Sequence, residues 1–420
     1  MHTIIFIAYL MFFSWLITRI RFNRKSELAP VLLVFFFVFR VITGCIYGWV
    51  HSLQPDYQTT MDTWKFFSDG LNETKLLIND PAAFFKELVR NPYQGGFGRF
   101  FSTSDSYWND LKHNIMIKFA GILNLFSGSN YYVNIIFYNF IVFFGPVALY
   151  RSVRYFTSEN KNIYLFLCFL FPTTVFWTCG FHKEGLLFTS VSLIIFYCLK
   201  AFYSTWRWTS VLMIIFLFGL IFLLRNNIIF ALVPAWLLWM LSHHFPKKTQ
   251  VIFVSGVVFF LLLFFTSKYF IPRLDLPESV RQRQIEFMLL GGNTYVQMDT
   301  LQPNVMGFVK HLPIAADMAF LRPHPGEGSF FYIPFTIESV TVIVFAILAL
   351  TRKRKPMPDK PFLYFMLMYA IGLLLLIGYT ITNTGAVIRY RSIAFPFLLM
   401  ALALIINWSS FRKNRASIKF

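Results

Sequence analysis

The stretch 208–243, WTSVLMIIFLFGLIFLLRNNIIFALVPAWLLWMLSH, decides the fold class of this chain. Arg225 is its one charged residue, and the apolar runs on either side of it are each long enough to cross a ~30 Å hydrocarbon layer as a helix. Similar runs recur along the whole chain, which is 57% hydrophobic and only 14% charged. Soluble domains carry about a quarter charged residues. The sequence therefore predicts an all-α protein that crosses a membrane many times.

Eleven apolar segments are predicted to span the membrane as parts of a single membrane domain. They lie near 3–18, 29–50, 131–150, 163–179, 185–203, 208–224, 227–243, 250–270, 331–350, 361–381 and 388–408. Basic residues follow the first segment and do not precede it, so we interpret it as a span and not as a signal peptide. The segment 111–127 contains two lysines and a histidine, which favours a re-entrant or interfacial helix.

Basic residues are distributed unevenly between the two sets of predicted loops. One set holds 20 basic and 3 acidic residues, in the loops 19–27, 151–161, 200–207, 247–248, 352–360 and 412–419. The rest of the chain, apart from Arg40 inside a span, holds 17 basic and 16 acidic residues. By the positive-inside rule the first set is cytoplasmic, so the N-terminus is expected outside and the C-terminus inside. The net charge of +19 therefore indicates topology and not nucleic-acid binding.

Two long loops, 51–130 and 271–330, are predicted on the outer face, whereas the cytoplasmic connections are short. Loops of this length within a compact protein are usually functional. Both contain amphipathic pieces and many aromatic residues. We therefore expect amphipathic or re-entrant helices in these loops, and we expect the activity of the protein at its outer face.

The first candidate motif is PDYQTTMDTWKFFSDG, residues 55–70, in the first long loop. A carboxylate flanked by aromatic residues beside the membrane suits a general base toward an acceptor hydroxyl, or a metal ligand beside a phosphate. Asp62 is the candidate catalytic residue, and Asp56 is a supporting one. The alternative is a solvated loop with aspartates that cap helices.

The second motif is FPTTVFWTCGFHKEG, residues 171–185, which joins two predicted spans. His182 and Glu184 are candidates for activating an acceptor, and Lys183 is a candidate phosphate ligand on the face that is poor in basic residues. Arg225 lies at another predicted hairpin on the same face, and arginine suits bidentate contacts to phosphate. The alternatives are an interfacial turn with a snorkelling lysine and an arginine that anchors a helix at the interface.

Two further motifs lie near the last spans, FLRPHPGEG at 320–328 and NTGAVIRYRSIAFPF at 383–397. Their arginines, Arg322, Arg389 and Arg391, are candidate phosphate ligands, and Glu327, Glu338 and Tyr390 are candidate supporting residues. Glu338 is expected a few residues inside a span, where an unpaired carboxylate is costly, so it needs an arginine partner. An internal salt bridge from these arginines to Glu338 or Glu184 is the structural alternative.

The motifs resemble those of two groups of membrane proteins. The acidic motif in the first long outer loop of an all-helical body resembles the GT-C glycosyltransferases, which use polyprenyl-phosphate sugars. The segments 171–185, 320–328 and 383–397 look like stretches of O-antigen polymerase-like proteins of bacterial polysaccharide clusters. The resemblance implies that Asp62 and the arginine pair in 383–397 engage a lipid-linked sugar at the outer face of a bacterial inner membrane.

The sequence therefore predicts a membrane glycosyltransferase or a polysaccharide polymerase. Its expected partners are the lipid bilayer, a polyprenyl-linked sugar donor and a saccharide or lipid-linked acceptor, and nucleic acid is not expected. No GxxxxGK[ST], HExxH or CxxC motif occurs, so no particular cofactor is indicated, and a divalent cation stays open. The alternatives are a transporter or flippase for a lipid-linked or anionic substrate, for which Arg40 is the main candidate at mid-depth, and a non-catalytic scaffold.

Overall fold

The computed structural model describes residues 2–93, 106–204, 207–272, 274–292, 294–327, 330–354 and 359–409. The structure is 81% helical, and no β-strand occurs in the part of the chain that it describes. The predicted all-α fold is therefore confirmed.

The helices divide between two compact units, each of which is built from two segments of the chain. Unit 1 comprises Met1–Ser152 and Thr174–Asn226, and unit 2 comprises Val153–Thr173 and Asn227–Phe420. The first segment of unit 1 contains α1 (His2–Arg19), α2 (Arg21–Arg24), α3 (Pro30–Ser52), α4 (Tyr57–Thr60), α5 (Asp62–Asn79), α6 (Pro81–Lys86), α7 (Tyr107–Ser127), α8 (Tyr131–Val142) and most of α9 (Phe144–Arg154). The next helix, α10 (Lys161–Leu165), belongs to unit 2. The second segment of unit 1 contains most of α11 (Pro172–Cys179), α12 (Lys183–Tyr203) and α13 (Trp208–Arg225). Unit 2 continues with α14 (Ile229–His244), α15 (Thr249–Phe270), α16 (Leu276–Leu290), α17 (Val305–Ala316), α18 (Ile333–Thr351), α19 (Lys360–Thr380), α20 (Thr384–Arg391) and α21 (Phe395–Ile405).

Within the described ranges, nine helical stretches are long and apolar enough to cross a membrane, or ten if the bent pair α20 and α21 counts as one span. The nine are His2–Arg19, Pro30–Ser52, Tyr131–Arg154, Lys161–Cys179, Lys183–Tyr203, Trp208–His244, Pro246–Phe270, Phe330–Thr351 and Lys360–Thr380. The chain is therefore a multi-pass α-helical membrane protein, as the sequence predicts.

Several of these helices expose apolar side chains over much of their length. In α15, Val254, Val258, Leu261 and Leu262 are each more than half exposed, at 59%, 53%, 53% and 60%. A soluble protein rarely leaves so large an apolar face in contact with water. In a bilayer the same face contacts lipid chains, so the exposed apolar surface agrees with the membrane assignment.

The region 271–330 of unit 2 is partly helical, and so is the region 51–130 of unit 1, where α4 to α7 lie. The helix predicted at 111–127 is present as α7, which packs along α5. Lys118 of α7 is buried and pairs with Glu73 of α5 at 2.7 Å and with Glu87 at 2.9 Å. Glu73 lies in the second half of α5 and Glu87 directly follows α6, so the buried cation ties α7 to both elements.

The segments predicted as separate spans at 208–224 and 227–243 form one continuous helical run of 37 residues. A short 3-10 helix, Asn226–Ile228, joins α13 to α14. Asn226 (φ −58°, ψ −29°) and Ile228 (φ −64°, ψ −31°) both have right-handed helical dihedrals, so the backbone remains helical where the sequence predicts a hairpin at Arg225. This run accounts for the difference from the eleven predicted spans.

The last predicted span, 388–408, is also different in the structure. It is a bent pair, α20 and α21, whose axes differ by 58°. Pro396 lies in the first turn of α21. Its ring clashes with the carbonyl group four residues earlier in a continuous helix, so α20 has to end before α21 begins.

Candidate functional site

Four candidate residues of unit 1 form one connected group, which we call the acid–histidine array. Asp62 is the first residue of α5, and His182 is the residue that caps the N-terminus of α12. Glu184 lies in the first turn of α12, and Arg225 is the last residue of α13. The array therefore joins the ends of α12 and α13, which are consecutive, to the start of α5, which is far from both in sequence.

The contacts of the acid–histidine array are continuous from one end to the other. Asp62 Oδ2 lies 3.1 Å from His182 Nε2. The other ring nitrogen, Nδ1, is hydrogen-bonded to Glu184 Oε2. Arg225 Nη2 donates to Glu184 Oε1 at 2.7 Å. A carboxylate thus lies at each nitrogen of the imidazole, and the inner carboxylate is also paired with a guanidinium.

Burial changes sharply along the array. The side chain of Asp62 is 47% exposed, whereas those of His182 and Glu184 are 2% and 0% exposed and that of Arg225 is 13% exposed. A carboxylate as deeply buried as Glu184 needs a paired charge, which Arg225 supplies. Asp62 is therefore the member through which the array meets the surface of the molecule.

The array is suited to orienting Asp62. His182 caps α12 by accepting the backbone N–H of Lys183 at Nδ1, at 3.0 Å. In this tautomer the ring proton is on Nε2, where it can be donated to Asp62 Oδ2. The imidazole thus joins the exposed carboxylate to the region of the buried Glu184.

Lys183 lies beside the array, together with three residues that the sequence does not indicate as site candidates, Phe66, Lys112 and Asn226. The ammonium group of Lys183 lies 5.4 Å from the ring centre of Phe66, which is 6.0 Å from the ring centre of His182. Lys112 donates to Asn226 Oδ1 at 3.3 Å, next to Arg225 in the chain. A lysine on the amphipathic segment 111–127 is the one sequence signal that could have indicated Lys112.

Backbone and aromatic contacts hold the array from both sides. The hydroxyl group of Tyr138 in α8 donates to the carbonyl oxygen of His182. Two residues beyond Asp62, Trp64 stacks on Tyr131 with the ring centres 4.0 Å apart, and Thr63 bonds to the hydroxyl group of Tyr131 at 2.7 Å. The first turn of α5 is thereby fixed on the start of α8.

Asp56 does not belong to the array. It is exposed, has a left-handed backbone (φ 50°) and precedes the short helix α4. Its side chain makes no capping hydrogen bond to that helix.

In unit 2, Arg322 and Glu327 belong to a second charged cluster. Arg322 Nε lies 2.9 Å from Asp317 Oδ2, and its Nη1 is hydrogen-bonded to Glu327. His324 Nε2 lies 3.0 Å from the other oxygen of Asp317. Asp317 opens a short π-helical turn, Asp317–Leu321, and the sequence analysis did not select it because nothing in its local pattern marks it as part of the cluster.

Arg391 and Glu338 form a buried pair in unit 2, which is the structural alternative that the sequence left open. Arg391 Nη2 lies 3.9 Å from Glu338 Oε2, and the exposures of the two residues are 0% and 1%. Arg391 also donates to the carbonyl oxygens of Arg322 and of Phe335, and Glu338 accepts from the backbone N–H of Thr173. The structure therefore provides the arginine that the sequence predicts for Glu338, and it places Arg391 in contacts that hold α18 and α20 together.

Arg389 and Tyr390 are partly buried in α20. The guanidinium group of Arg389 lies 5.1 Å from the ring centre of Tyr390, which is 6.1 Å from that of Phe287 in α16. A role of Arg322, Arg389 or Arg391 as a phosphate ligand stays a prediction. In the described part of the chain, no group of three or more His, Cys, Asp or Glu residues is arranged to hold a metal ion.

Comparisons with protein-family models, with curated proteins and with solved structures found no match for this chain.

Gly185, in the first turn of α12, tests how tightly the array is packed. A Cβ atom there would collide with the hydroxyl group of Tyr138 and with the carbonyl oxygen of Thr178. We expect Gly185→Ala to lower the free energy of unfolding by roughly 1–3 kcal/mol, as overpacking typically does, measured by thermal unfolding in detergent. Gly219→Ala in α13 is the matched control, because no heavy atom lies within 4 Å of the added carbon. Equal unfolding temperatures for the two variants would contradict the packing described here.

The buried pair in unit 2 gives a second prediction about stability. Arg391→Met leaves Glu338 as an unpaired buried carboxylate, so we expect a loss of about 3–5 kcal/mol in the free energy of unfolding. The double variant Arg391→Met with Glu338→Gln should recover part of this loss, because the uncompensated charge is gone. Thermal unfolding of the single and double variants measures both effects. A single variant as stable as the unaltered protein would show that the pair does not hold unit 2 together.

Proposed function

We propose that this protein is a membrane glycosyltransferase that takes its sugar from a polyprenyl-linked donor, as a single-sugar transferase or as a polysaccharide polymerase. The observation that carries the proposal is the acid–histidine array, in which an exposed carboxylate is connected through His182 to a buried, arginine-paired carboxylate. Transfer of a sugar requires removal of a proton from an acceptor hydroxyl group. An oriented carboxylate at the surface of a membrane protein is suited to this task.

Asp62 is the proposed general base. Its hydrogen bond to His182 orients one of its oxygens, and its 47% exposure leaves the carboxylate accessible to an acceptor. His182 and Glu184 are proposed to orient Asp62 and to balance its charge as it takes up a proton. Arg225 pairs with Glu184 and offsets the cost of burying its charge.

Three cations of unit 1 support a phosphate-bearing donor. Lys183 follows His182 directly, Lys112 bonds to the residue after Arg225, and Arg225 itself is partly exposed. Cations near the reacting carbon stabilise the negative charge that develops on a departing phosphate. A donor carried in the bilayer also requires no nucleotide-binding domain, which agrees with the absence of a nucleotide-binding motif from the sequence.

The aromatic residues beside Asp62 suit a sugar ring. Trp64, with Tyr131 stacked on it and Tyr57 against its edge at 5.0 Å, lies two residues beyond the proposed base in α5. Aromatic residues combine an apolar face with polar groups at the ring edge, a combination that sugars match.

In the proposed step, the O–H bond of the acceptor breaks and its proton passes to Asp62. The acceptor oxygen forms a bond to the anomeric carbon of the donor sugar. The bond from that carbon to the phosphate oxygen breaks, and the polyprenyl phosphate or diphosphate leaves with the electron pair. Because Asp62 is exposed, it can return its proton to solvent after the step.

The substitution Asp62→Asn tests the proposal. It keeps the shape and most hydrogen bonds of the side chain but removes the base, so we expect polysaccharide assembly in a deletion strain to fall by roughly 100-fold or more. Asp56→Asn is the matched control, because Asp56 lies in the same loop and is exposed but makes no contact with the array. Immunoblots confirm equal expression. Wild-type assembly with Asp62→Asn would overturn the proposal.

We further propose that the protein lies in a bacterial inner membrane with its N-terminus and the array on the outer side. The charge distribution ahead of the run Trp208–His244 supports this orientation, since the loops 19–27, 151–161 and 200–207 hold 9 basic and 2 acidic residues.

Single-cysteine labelling tests the orientation in a Cys45→Ser background, in which the remaining cysteines are buried. A membrane-impermeant maleimide added to intact cells should label Gln54→Cys, and it should not label Lys25→Cys or Lys248→Cys. Labelling at Lys248→Cys together with Gln54→Cys would instead mean that the run Trp208–His244 crosses the membrane once.

A further inference from the structure

Arg40 is a buried cation that the proposed reaction does not use directly. It lies near the middle of the 23-residue helix α3 and is 0% exposed. Among the residues that the structure describes, no carboxylate forms an ion pair with it, and its Nε and Nη1 have no hydrogen-bond partner. Its Nη2 donates to Thr178, with distances of 3.0 Å to the hydroxyl oxygen and 3.4 Å to the carbonyl oxygen.

Thr178 is next to last in α11, so its carbonyl group is one of those that the helix leaves without an internal partner. A cation at this end also interacts favourably with the helix dipole. The following carbonyl group, that of Cys179, accepts from Asn139 Nδ2 at 2.8 Å. The carbonyl group of His182 accepts from Tyr138. Side chains of α3 and α8 therefore hold three backbone carbonyls of the segment 178–182, which we call the site turn.

The site turn decides where the inner part of the array lies. His182 ends it, and Glu184 follows after one residue, so a shift of the turn moves both away from Asp62. We propose that Arg40 is a positioning residue, whose guanidinium group holds the site turn in the conformation that brings His182 and Glu184 to Asp62. The expected effect of Arg40 on activity rests on the proposed glycosyltransferase function. The position of the site turn does not depend on that function.

The chemistry of arginine explains its presence at this costly position. A buried cation without a carboxylate partner is expensive, so such residues within spans are rare and commonly functional. The Nη2 atom of a guanidinium group carries two N–H bonds, which suits two oxygens of a single residue. A residue that only filled space at this depth of α3 would be apolar.

A labelling experiment tests the position of the turn without any substrate. Cys179 lies within the site turn and Cys198 lies in α12, and both are buried. In a Cys45→Ser background, we expect Arg40→Met to accelerate N-ethylmaleimide labelling of Cys179 on the order of tenfold, while Cys198 stays protected. Carbethoxylation of His182 by diethyl pyrocarbonate, read by peptide mass spectrometry, should rise in parallel.

Arg151→Met is the matched control. Arg151 is also partly buried in unit 1 and donates to a backbone carbonyl, that of Phe22 at 3.2 Å, but it has no contact with the site turn. Its substitution should leave Cys179 and His182 as protected as in the parent protein. Unchanged protection of Cys179 and His182 in a folded Arg40→Met variant would overturn the proposal. An equal increase in the labelling rates of Cys198 and Cys179 would also overturn it, because it indicates a general loosening of unit 1.

Thr178→Val keeps the test decisive if Arg40→Met does not fold. It removes the hydroxyl acceptor at 3.0 Å with little change in volume, so a smaller rise in labelling, confined to Cys179 and His182, is expected. Arg40→Lys should restore part of the protection, because lysine keeps the charge. If labelling changes as expected while polysaccharide assembly is unaffected, the positioning stands and the glycosyltransferase assignment fails. If polysaccharide assembly is lost while the labelling of Cys179 and His182 is unchanged, the positioning role of Arg40 is refuted and the glycosyltransferase proposal is not.

Discussion

Glu184 is a carboxylate removed from water, and the arrangement of unit 1 around the candidate site depends on pairing it. It is 0% exposed, so an unpaired charge there would cost several kcal/mol. Arg225 at the end of α13 and His182 at the cap of α12 meet this requirement together. Because the partners lie on α13 and at the cap of α12, pairing the carboxylate also brings these two elements together. Asp62 then joins through the second nitrogen of His182 and brings α5 to the same place.

Unit 2 meets the same constraint in a different way. Glu338 is also buried and is also paired with an arginine, Arg391, but backbone groups fill the rest of the surroundings of the pair. Both members are almost fully buried, so this pair has no member at the surface of the molecule. The array of unit 1 differs in one respect, which is that it ends in the exposed Asp62. Because Asp62 is exposed, it can reach an acceptor, whereas the buried Arg391 and Glu338 cannot.

The sequence predicts the membrane helices well because their length and apolar character follow directly from the thickness of the bilayer. It does less well where helices join, since the polar residues Arg225 and Asn226 suggest a loop although the backbone there stays helical. At the site, polar residues at the ends of apolar segments identify His182 and Glu184 as unusual. Their contact with Asp62, 120 residues away, is a tertiary packing outcome that no local pattern encodes. Asp317 escapes prediction from the sequence for the same reason.

The division of burial along the array separates folding from chemistry. His182, Glu184 and Arg225 each contribute to pairing a buried charge, so a substitution at any of them disturbs stability and activity together. Asp62 is about half exposed, and the buried Glu184 carboxylate has its own partner in Arg225. The free energy of unfolding should therefore depend little on its carboxylate, whereas the proposed proton transfer depends on it directly. A base placed at the exposed end of a buried charge array can change its protonation during a reaction without disturbing the pairing that holds the helices together.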